Sequence, residues 1–598
     1  MSDVQKISVF DERIVQRSPM QYAVEQGAVS ATNTNFTAIS QTTSQHTYQI
    51  QVPSENVFVD KALDWTSTVA LQFNVVNTTT TASAPVVLFG RDIALNAFPL
   101  HTLVSTLSAT INDTTVTMNT SDVLFEVLRM ADSAKNRELR TCPSYLDTYA
   151  SYNDAIGTNN NPIAGYENAT TNGVVPNGAF WNVYFTNSTG VALSGSGNYV
   201  VNGNTVYYVN GVPSYNASQT LVSENTYPVF IKFTTVEKLV LSPFCFSDVH
   251  DNETGLFGIQ NIQVVANMMN PSADNTGTIG RVLRWAYKGT VTGINSVAYN
   301  NNAQGGAFSN SQISCVFLTP SLSLPLPSKS VVPYMEFPRY TQNFTLSDSL
   351  ASGALSSTQQ SQTITLPTIP DLIIIYAKPS SYNSTDASYY LPITNISVNF
   401  DNFSGLLSSY TPSELFAISQ SNGLQMNWDE WNGQALKGNS GSAGQYVGLV
   451  GGFLVIKPSR DITLQTAQAP GVIGNYTLQF NYQVYNPSAS SVSQFTLTTI
   501  TANSGFFESI KGSSRVVKGV LSQKDVIEAD GKGAVTRSEL NRFVGGKHGS
   551  LMHSLQNGVS KAMPFIRSLI PHVKEHIHHM AHAAMGAMKR GGLSKRLM

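Results

Sequence analysis

Residues Glu528–Glu539, inside the stretch EADGKGAVTRSEL, have the length and punctuation of a calcium-binding loop. Such a loop supplies oxygen ligands from positions 1, 3 and 5, turns at a glycine in position 6 and closes on a glutamate at 12. Glu528, Asp530, Gly533 and Glu539 fall at positions 1, 3, 6 and 12. Lys532, however, puts an ammonium group at position 5, where an oxygen donor belongs. A surface turn leading into a short helix is therefore expected, without calcium. A second stretch, GNSGS (438–442), echoes the nucleophile region of serine proteases but lacks its Asp, and Ser442 spoils a G-x-S-x-G reading. A triad also needs a placed base, and the body of the chain offers only His46, His101 and His250. Ser440 thus reads as part of a Gly/Ser loop. His572, His576 and His579 are spaced i, i+4, i+7, and His578 and His582 form a second such pair, a zinc-like spacing. With no other ligand type nearby, they read as a solvated helix face that charges below about pH 6.5. The chain has no P-loop, no dinucleotide fingerprint, no C-x-x-C and no H-E-x-x-H. No enzyme, metal site or cofactor is expected.

Cys142, Cys245 and Cys315 are far apart and odd in number, so buried free thiols are expected rather than a disulfide framework. Charged residues make up only 12% of the 598, and Asn, Ser, Thr, Gly and Tyr are abundant. That composition suits strands and polar loops. No run of eighteen apolar residues occurs, and the charged start MSDVQKISVFDERIVQ has no apolar signal core, so neither a membrane span nor secretion is expected. Charge is uneven. Residues 509–598 hold 15 Lys/Arg and 5 Asp/Glu, and the rest hold 20 and 32, so a body of net −12 carries a tail of net +10. An acidic body is not the footprint of a nucleic-acid binder, whereas a basic tail can be one.

The elements that must position any site are mainly strands. STLSATINDTTVTMNT (105–120) alternates around Asn112-Asp113, and NYVVNGNTVYYVNGVP (198–213) around Asn202-Gly203-Asn204, both hairpin patterns. PVFIKFTTVEKLVLSP, QISCVFLTP, IPDLIIIYAKP, GGFLVIKP and GNYTLQFNYQVYNPS read as further strands bounded by Pro, Gly or Asn. Two stretches of the body read as helices. The first, 121–139, has Ser121 or Asp122 as its cap and an apolar face at Val123, Leu124, Val127 and Leu128. The second has Thr411 as N-cap, Pro412 at the first helical position and Glu414 completing a capping box. Each follows a strand, and they begin roughly 290 residues apart, which suggests two related domains in tandem. The Pro-rich run 319–338 lies between them and cannot be a central strand.

The stretches 90–123, 142–166, 317–344, LFAISQSNGLQMNWDEWNG (415–433) and APGVIGNYTLQFNYQVYNPS (469–488) together resemble the double jelly-roll major capsid proteins of virophages and polinton-like viruses. The resemblance implies an all-β fold of two tandem eight-stranded jelly rolls with a short helical C-terminal tail. The expected division is an N-terminal arm (1–20), a first jelly roll (21–322), a Pro-rich linker (323–338), a second jelly roll (339–508) and a basic tail (509–598). It further implies a homotrimer, the pseudo-hexagonal capsomer of an icosahedral virion around double-stranded DNA, assembled inside the host cell. Neighbouring capsomers, penton and minor capsid proteins are the implied partners. Long polar loops such as 151–227 suit trimer contacts and the outer surface. The alternative is a trimeric glycan-binding attachment protein, since jelly rolls host lectins and Trp65, Trp181, Trp428 and Trp431 could stack on sugars. Core and subunit packing is the preferred role for these aromatics.

In the tail, Gly545-Gly546 forms an exposed break in RFVGGKHGS. It reads either as a hinge or as a processing site for a viral cysteine protease of the kind that cuts capsid precursors at Gly-Gly in related viruses, with Phe543 departing from the smaller residue such enzymes prefer. Beyond it, Leu551, Leu555, Val559, Met563 and Ile566 line one helical face, and Val573, Ile577, Met580, Ala584 and Met588 another. Lys561, Arg567, Lys574, Lys589 and Arg590 are candidate contacts to genomic DNA or to a membrane.

Overall fold

The computed structural model describes residues 28–54, 56–77, 87–89, 92–131, 146–153, 182–201, 203–214, 226–245, 255–269, 278–286, 291–321, 326–380, 385–437, 445–465, 468–519 and 522. In the first half the principal strands are β1 (Ala28–Thr37), β2 (Gln45–Gln51), β3 (Asp64–Asn77), β4 (Val104–Ile111), β5 (Thr114–Met118), β6 (Thr226–Lys238), β7 (Asn261–Met268) and β8 (Phe308–Pro320). In the second half they are β9 (Arg339–Leu350), β10 (Ile364–Thr368), β11 (Leu372–Pro379), β12 (Ile393–Phe400), β13 (Phe403–Leu406), β14 (Leu454–Ile456), β15 (Ile473–Val484) and β16 (Val492–Ile510).

The pairing repeats. One sheet of the first half runs β1-β8-β3-β6 and the other β2-β7-β4-β5. In the second half the corresponding sheets run β9-β16-β11-β14 and β10-β15-β12-β13. Each order is the first one advanced by eight strands. Two sheets so connected form a jelly roll, and the chain is a double jelly roll. Closing strands into packed pairs of sheets leaves few open edges.

Local sequence explains the turns and helices. The β4–β5 turn places Asn112 at φ 53°, and the corresponding β12–β13 turn places Asp401 at φ 51°. Asn and Asp tolerate this left-handed backbone better than other non-glycine residues, so two-residue hairpins form at these points. Helix α1 (Thr120–Met130) follows β5, and α2 (Pro412–Ser421) follows β13. In α2, Thr411 accepts from the Glu414 backbone N–H and the Glu414 side chain accepts from the Thr411 N–H, completing the expected box. In α1 the N-cap is Asn119, not Ser121 or Asp122, and its side chain makes no capping bond. The Val123, Leu124, Val127 and Leu128 face is buried as the periodicity predicts.

Two boundaries differ from the sequence reading. Ser330–Glu336, inside the expected linker, is a strand that pairs with β16 at Ser330↔Ser509 through Glu336↔Asn503. It pairs on one side only, which accommodates Pro333 at an edge. Ser513–Lys518, inside the expected tail, returns along the end of β16. The Lys511-Gly512 turn, both residues at positive φ, permits that reversal. Cys245 and Cys315 are buried free thiols, and burial pushes the Cys315 thiol up to about 12, while Cys142 lies outside the described residues. Among the described residues no helix is long and apolar enough to cross a membrane.

Candidate functional site: the seam between the two rolls

Charged residues that the hydrophobic pattern should exclude mark where the rolls meet. Glu126 lies on the side of α1 opposite its apolar face and is nevertheless fully buried. Its Oε1 accepts from Lys378 Nζ of β11 at 2.6 Å and from Tyr390 Oη at 2.9 Å. The Lys378 ammonium also lies 4.7 Å from the Tyr376 ring centre and 4.6 Å from that of Tyr390. Burial lowers the Lys378 pKa, and the Glu126 carboxylate opposes that shift. An isolated ammonium would be costly here; an ion pair with two ring faces offsets much of its desolvation.

One helical turn later, the buried Arg129 donates from Nη2 to the Asp147 carbonyl at 2.7 Å, with its guanidinium 5.8 Å from the Tyr390 ring. The Asp147 carboxylate lies 3.0 Å from Arg284 Nε of the first roll and accepts from Tyr152 Oη at 3.1 Å. It also accepts from the Ser388 backbone N–H of the second roll at 3.2 Å. Backbone bonds continue the join: Tyr152 N–H donates to the Thr385 carbonyl, Ala387 N–H to Ala150 and Val450 N–H to Thr148. Nearer solvent, Arg339 of β9 pairs with Asp122 at 2.8 Å.

A second join lies at the β4–β5 turn. Asp113 accepts from the Ser514 N–H at 2.6 Å and the Ser513 hydroxyl at 2.9 Å. The Ser514 N–H, with those hydroxyls, holds the Asp113 carboxyl below the usual carboxylate range. Thr114 Oγ1 donates to the Ser514 carbonyl at 2.7 Å, and Gly512 N–H donates to the Gly258 carbonyl. The strand Ser513–Lys518 thus reaches from the second roll to cap the hairpin of the first. Chemically the seam is a lock that joins the two rolls.

Of the histidines considered as bases, the two described, His46 and His101, are structural. His101 Nδ1 donates to Glu237 at 2.6 Å while Nε2 accepts from the Val240 N–H at 3.2 Å, all three residues buried in the first roll. His46 packs edge-on against Phe308 and Trp65, and burial lowers its pKa to about 4. Trp65 and Trp431 are buried core residues; Trp428 stacks on Trp431 with 38% of its surface exposed. His250, Trp181, Ser440 and the stretch 528–540 lie outside the described residues. So do Gly545, Gly546, Lys561, Arg567, Lys574, Lys589, Arg590 and the histidine cluster of the tail. Among the described residues no group of three His, Cys, Asp or Glu side chains could hold a metal ion. Sequence reading missed the seam residues Glu126, Arg129, Asp147, Arg284 and Lys378. Their signal was present: Glu126 interrupts VLFEVL and Lys378 ends LIIIYAK, charges embedded in otherwise buried runs.

Comparison with known proteins agrees with this architecture. Residues 2–318 match the family model of the Sputnik virophage major capsid protein first domain, and residues 337–505 match the major capsid protein V20 C-terminal domain. The putative capsid protein V20 of Sputnik virophage is 25% identical over 566 residues, covering 90% of this chain and 84% of that protein. In structure, a chain of the Sputnik virophage particle solved by cryo-EM superposes with a TM-score of 0.69 at 23% identity, over 90% of this chain and 98% of that one. The mavirus major capsid protein superposes with a TM-score of 0.63 at 12% identity, over 90% and 99%. The chain therefore belongs to the Sputnik virophage major capsid protein family: it is a structural protein of the virion capsid, not an enzyme.

Proposed function

We propose that three copies of this chain form a pseudo-hexagonal capsomer, and that capsomers tile an icosahedral shell around double-stranded DNA. The supporting observation is the repeat of one strand order in two rolls joined by a buried seam. Three such pairs place six near-equivalent barrels around a threefold axis, and closed symmetry then needs only one kind of contact between chains. Light scattering of the purified full-length protein should report a mass near three chains, and micrographs should show hexagonal arrays or uniform particles. A stable monomer at micromolar concentration would overturn this reading.

The division proposed with it is an arm (1–20), a first roll (21–322), a Pro-rich linker (323–338) and a second roll (339–508) whose sheet continues through Lys518. Beyond that the basic tail works during assembly and is dispensable to the finished shell. Its support is the charge change and the Gly545-Gly546 break. Residues 547–598 hold 8 basic and 1 acidic side chains, enough to neutralise phosphates through groups such as Lys561, Arg567, Lys574, Lys589 and Arg590. Intact-mass analysis of purified particles should find chains ending at Gly546, cut by a viral cysteine protease; finding only the 598-residue chain would rule out processing there. Penton and minor capsid proteins are the remaining partners of this proposal.

A further inference from the structure

We infer that the outer face of α2, carrying Glu414, Ile418 and Ser421, is the surface on which the first jelly roll of a second copy docks. The inference rests on the trimeric capsomer and names the surface that builds it.

The chain contains its own template. Helix α1 follows β5, packs on β4, and is covered on its outer side by the second roll. The residues that make that contact are Asp122 with Arg339, Glu126 with Lys378 and Arg129 over the Tyr390 ring, three, seven and ten positions after the N-cap Asn119. Helix α2 follows β13 and packs on β14 and on the corresponding strand β12. Counting equally from its N-cap, Thr411, gives Glu414, Ile418 and Ser421. Within one chain Glu414, Ala417 and Ser421 stay exposed and Ile418 is half-buried, with Arg460 donating to Ser421 at the C-terminal end of the helix, while Leu415 and Ser419 on the inner face are buried. The contrast with Glu126 and Arg129, both buried, is the contrast between a covered and an uncovered copy of one element.

The surroundings fit an occupant of the same kind. Tyr410 and Trp428 flank the helix with 39% and 38% of their surfaces exposed, and such aromatics are enriched where chains meet. The face carries the carboxylates of Glu414, which caps its own helix through the Thr411 N–H, and of the exposed Asp429, with Arg460 at its C-terminal end. On the first roll, the outer face of the β3–β6 pair is half-open and carries Lys232, and Lys238 paired with Asp64 at 2.6 Å. That pair corresponds to β11 and β14 of the second roll, and β11 supplies Lys378 to Glu126. A helix face packed against the sheet of the neighbouring roll is thus made once inside the chain and offered again at its outer edge.

The test uses full-length protein. Ala417→Arg places a long cation at the centre of the uncovered face, in a helix position that disturbs no inner contact. Sedimentation across a dilution series should show dissociation of the trimer at least tenfold more readily than wild type, with an unchanged circular dichroism spectrum. In parallel, a photo-crosslinking phenylalanine derivative replacing Ala417 should join to residues within 28–320 of another copy. If Ala417→Arg does not fold, the crosslink decides. A trimer of wild-type strength in Ala417→Arg, or crosslinks from position 417 that land only outside 28–320 of another copy, overturns the inference and leaves the trimer standing. A wild type that stays monomeric overturns both.

Discussion

Strands β3 and β11 hold the same place in their sheets, between β8 and β6 in one roll and between β16 and β14 in the other. Their environments differ. In β11 every residue from Leu372 to Lys378 is buried, because α1 of the first roll covers its outer side. In β3, Asp64, Thr66, Gln72 and Asn74 alternate outward and are only half-buried. The cores differ as well. The first roll buries His46 beside Trp65, and His101 against Glu237, whereas β11 and β14 of the second roll bury Ile373, Ile375, Leu454 and Ile456. One strand order therefore tolerates buried polar groups within a largely apolar core. What distinguishes the rolls is which outer faces are covered, and at what electrostatic cost.

The largest effect is expected where a charge has been carried into the covered face. Glu126→Ala leaves Lys378 buried without its carboxylate and should destabilise the protein by about 3–5 kcal/mol. Glu126→Leu combined with Lys378→Met should recover most of that loss, since a buried pair replaced by apolar groups is often close to neutral. Denaturant titration of both variants checks this; a double variant as unstable as Glu126→Ala would show that packing, not charge, holds the seam.

Acid should act through the first roll. The unfolded chain takes up a proton on His46 near pH 6.5, but burial lowers the folded value to about 4. The unfolded state therefore binds the proton first, and stability that is full above pH 6.5 declines as pH falls towards about 4, by ~3 kcal/mol. His46→Gln should flatten this part of the stability profile measured between pH 7 and 4.5. An equally steep decline in the variant would assign the acid sensitivity to other groups.

The smallest effect compares the two helix caps. Thr411→Ala removes a bonded cap and should cost about 1 kcal/mol. Asn119→Ala, at a cap with no side-chain bond, should cost markedly less. Thermal melts of the two variants settle the order, and a larger loss at Asn119 would contradict it.

Much of this molecule was legible in the chain itself. The Asn112-Asp113 hairpin, the capping box of α2 and the apolar stripe of α1 depend on residues within a few positions of one another, so local chemistry is enough to read them. The repeat of a helix after a strand roughly 290 residues apart gave the tandem arrangement. The reading failed where the deciding partner is remote. Asn119 caps α1 in place of Ser121 because the chain leaves β5 at that point, a matter of strand geometry rather than of cap preference. Ser513–Lys518 looks like the start of a basic tail, but β16 and the Asp113 turn, about 400 positions away, make it a strand.

Sequence by itself determined the strand alternation, the two-fold repeat, the acidic body and the basic tail, because each is a property of composition or of near neighbours. Tertiary structure alone decided that Glu126 and Lys378, 252 positions apart, would become partners, and that α1 would be covered while α2 stays open. Burial of a charge is worth accepting only when its counter-charge arrives in the same dry space, and that meeting is set by the packing of whole barrels.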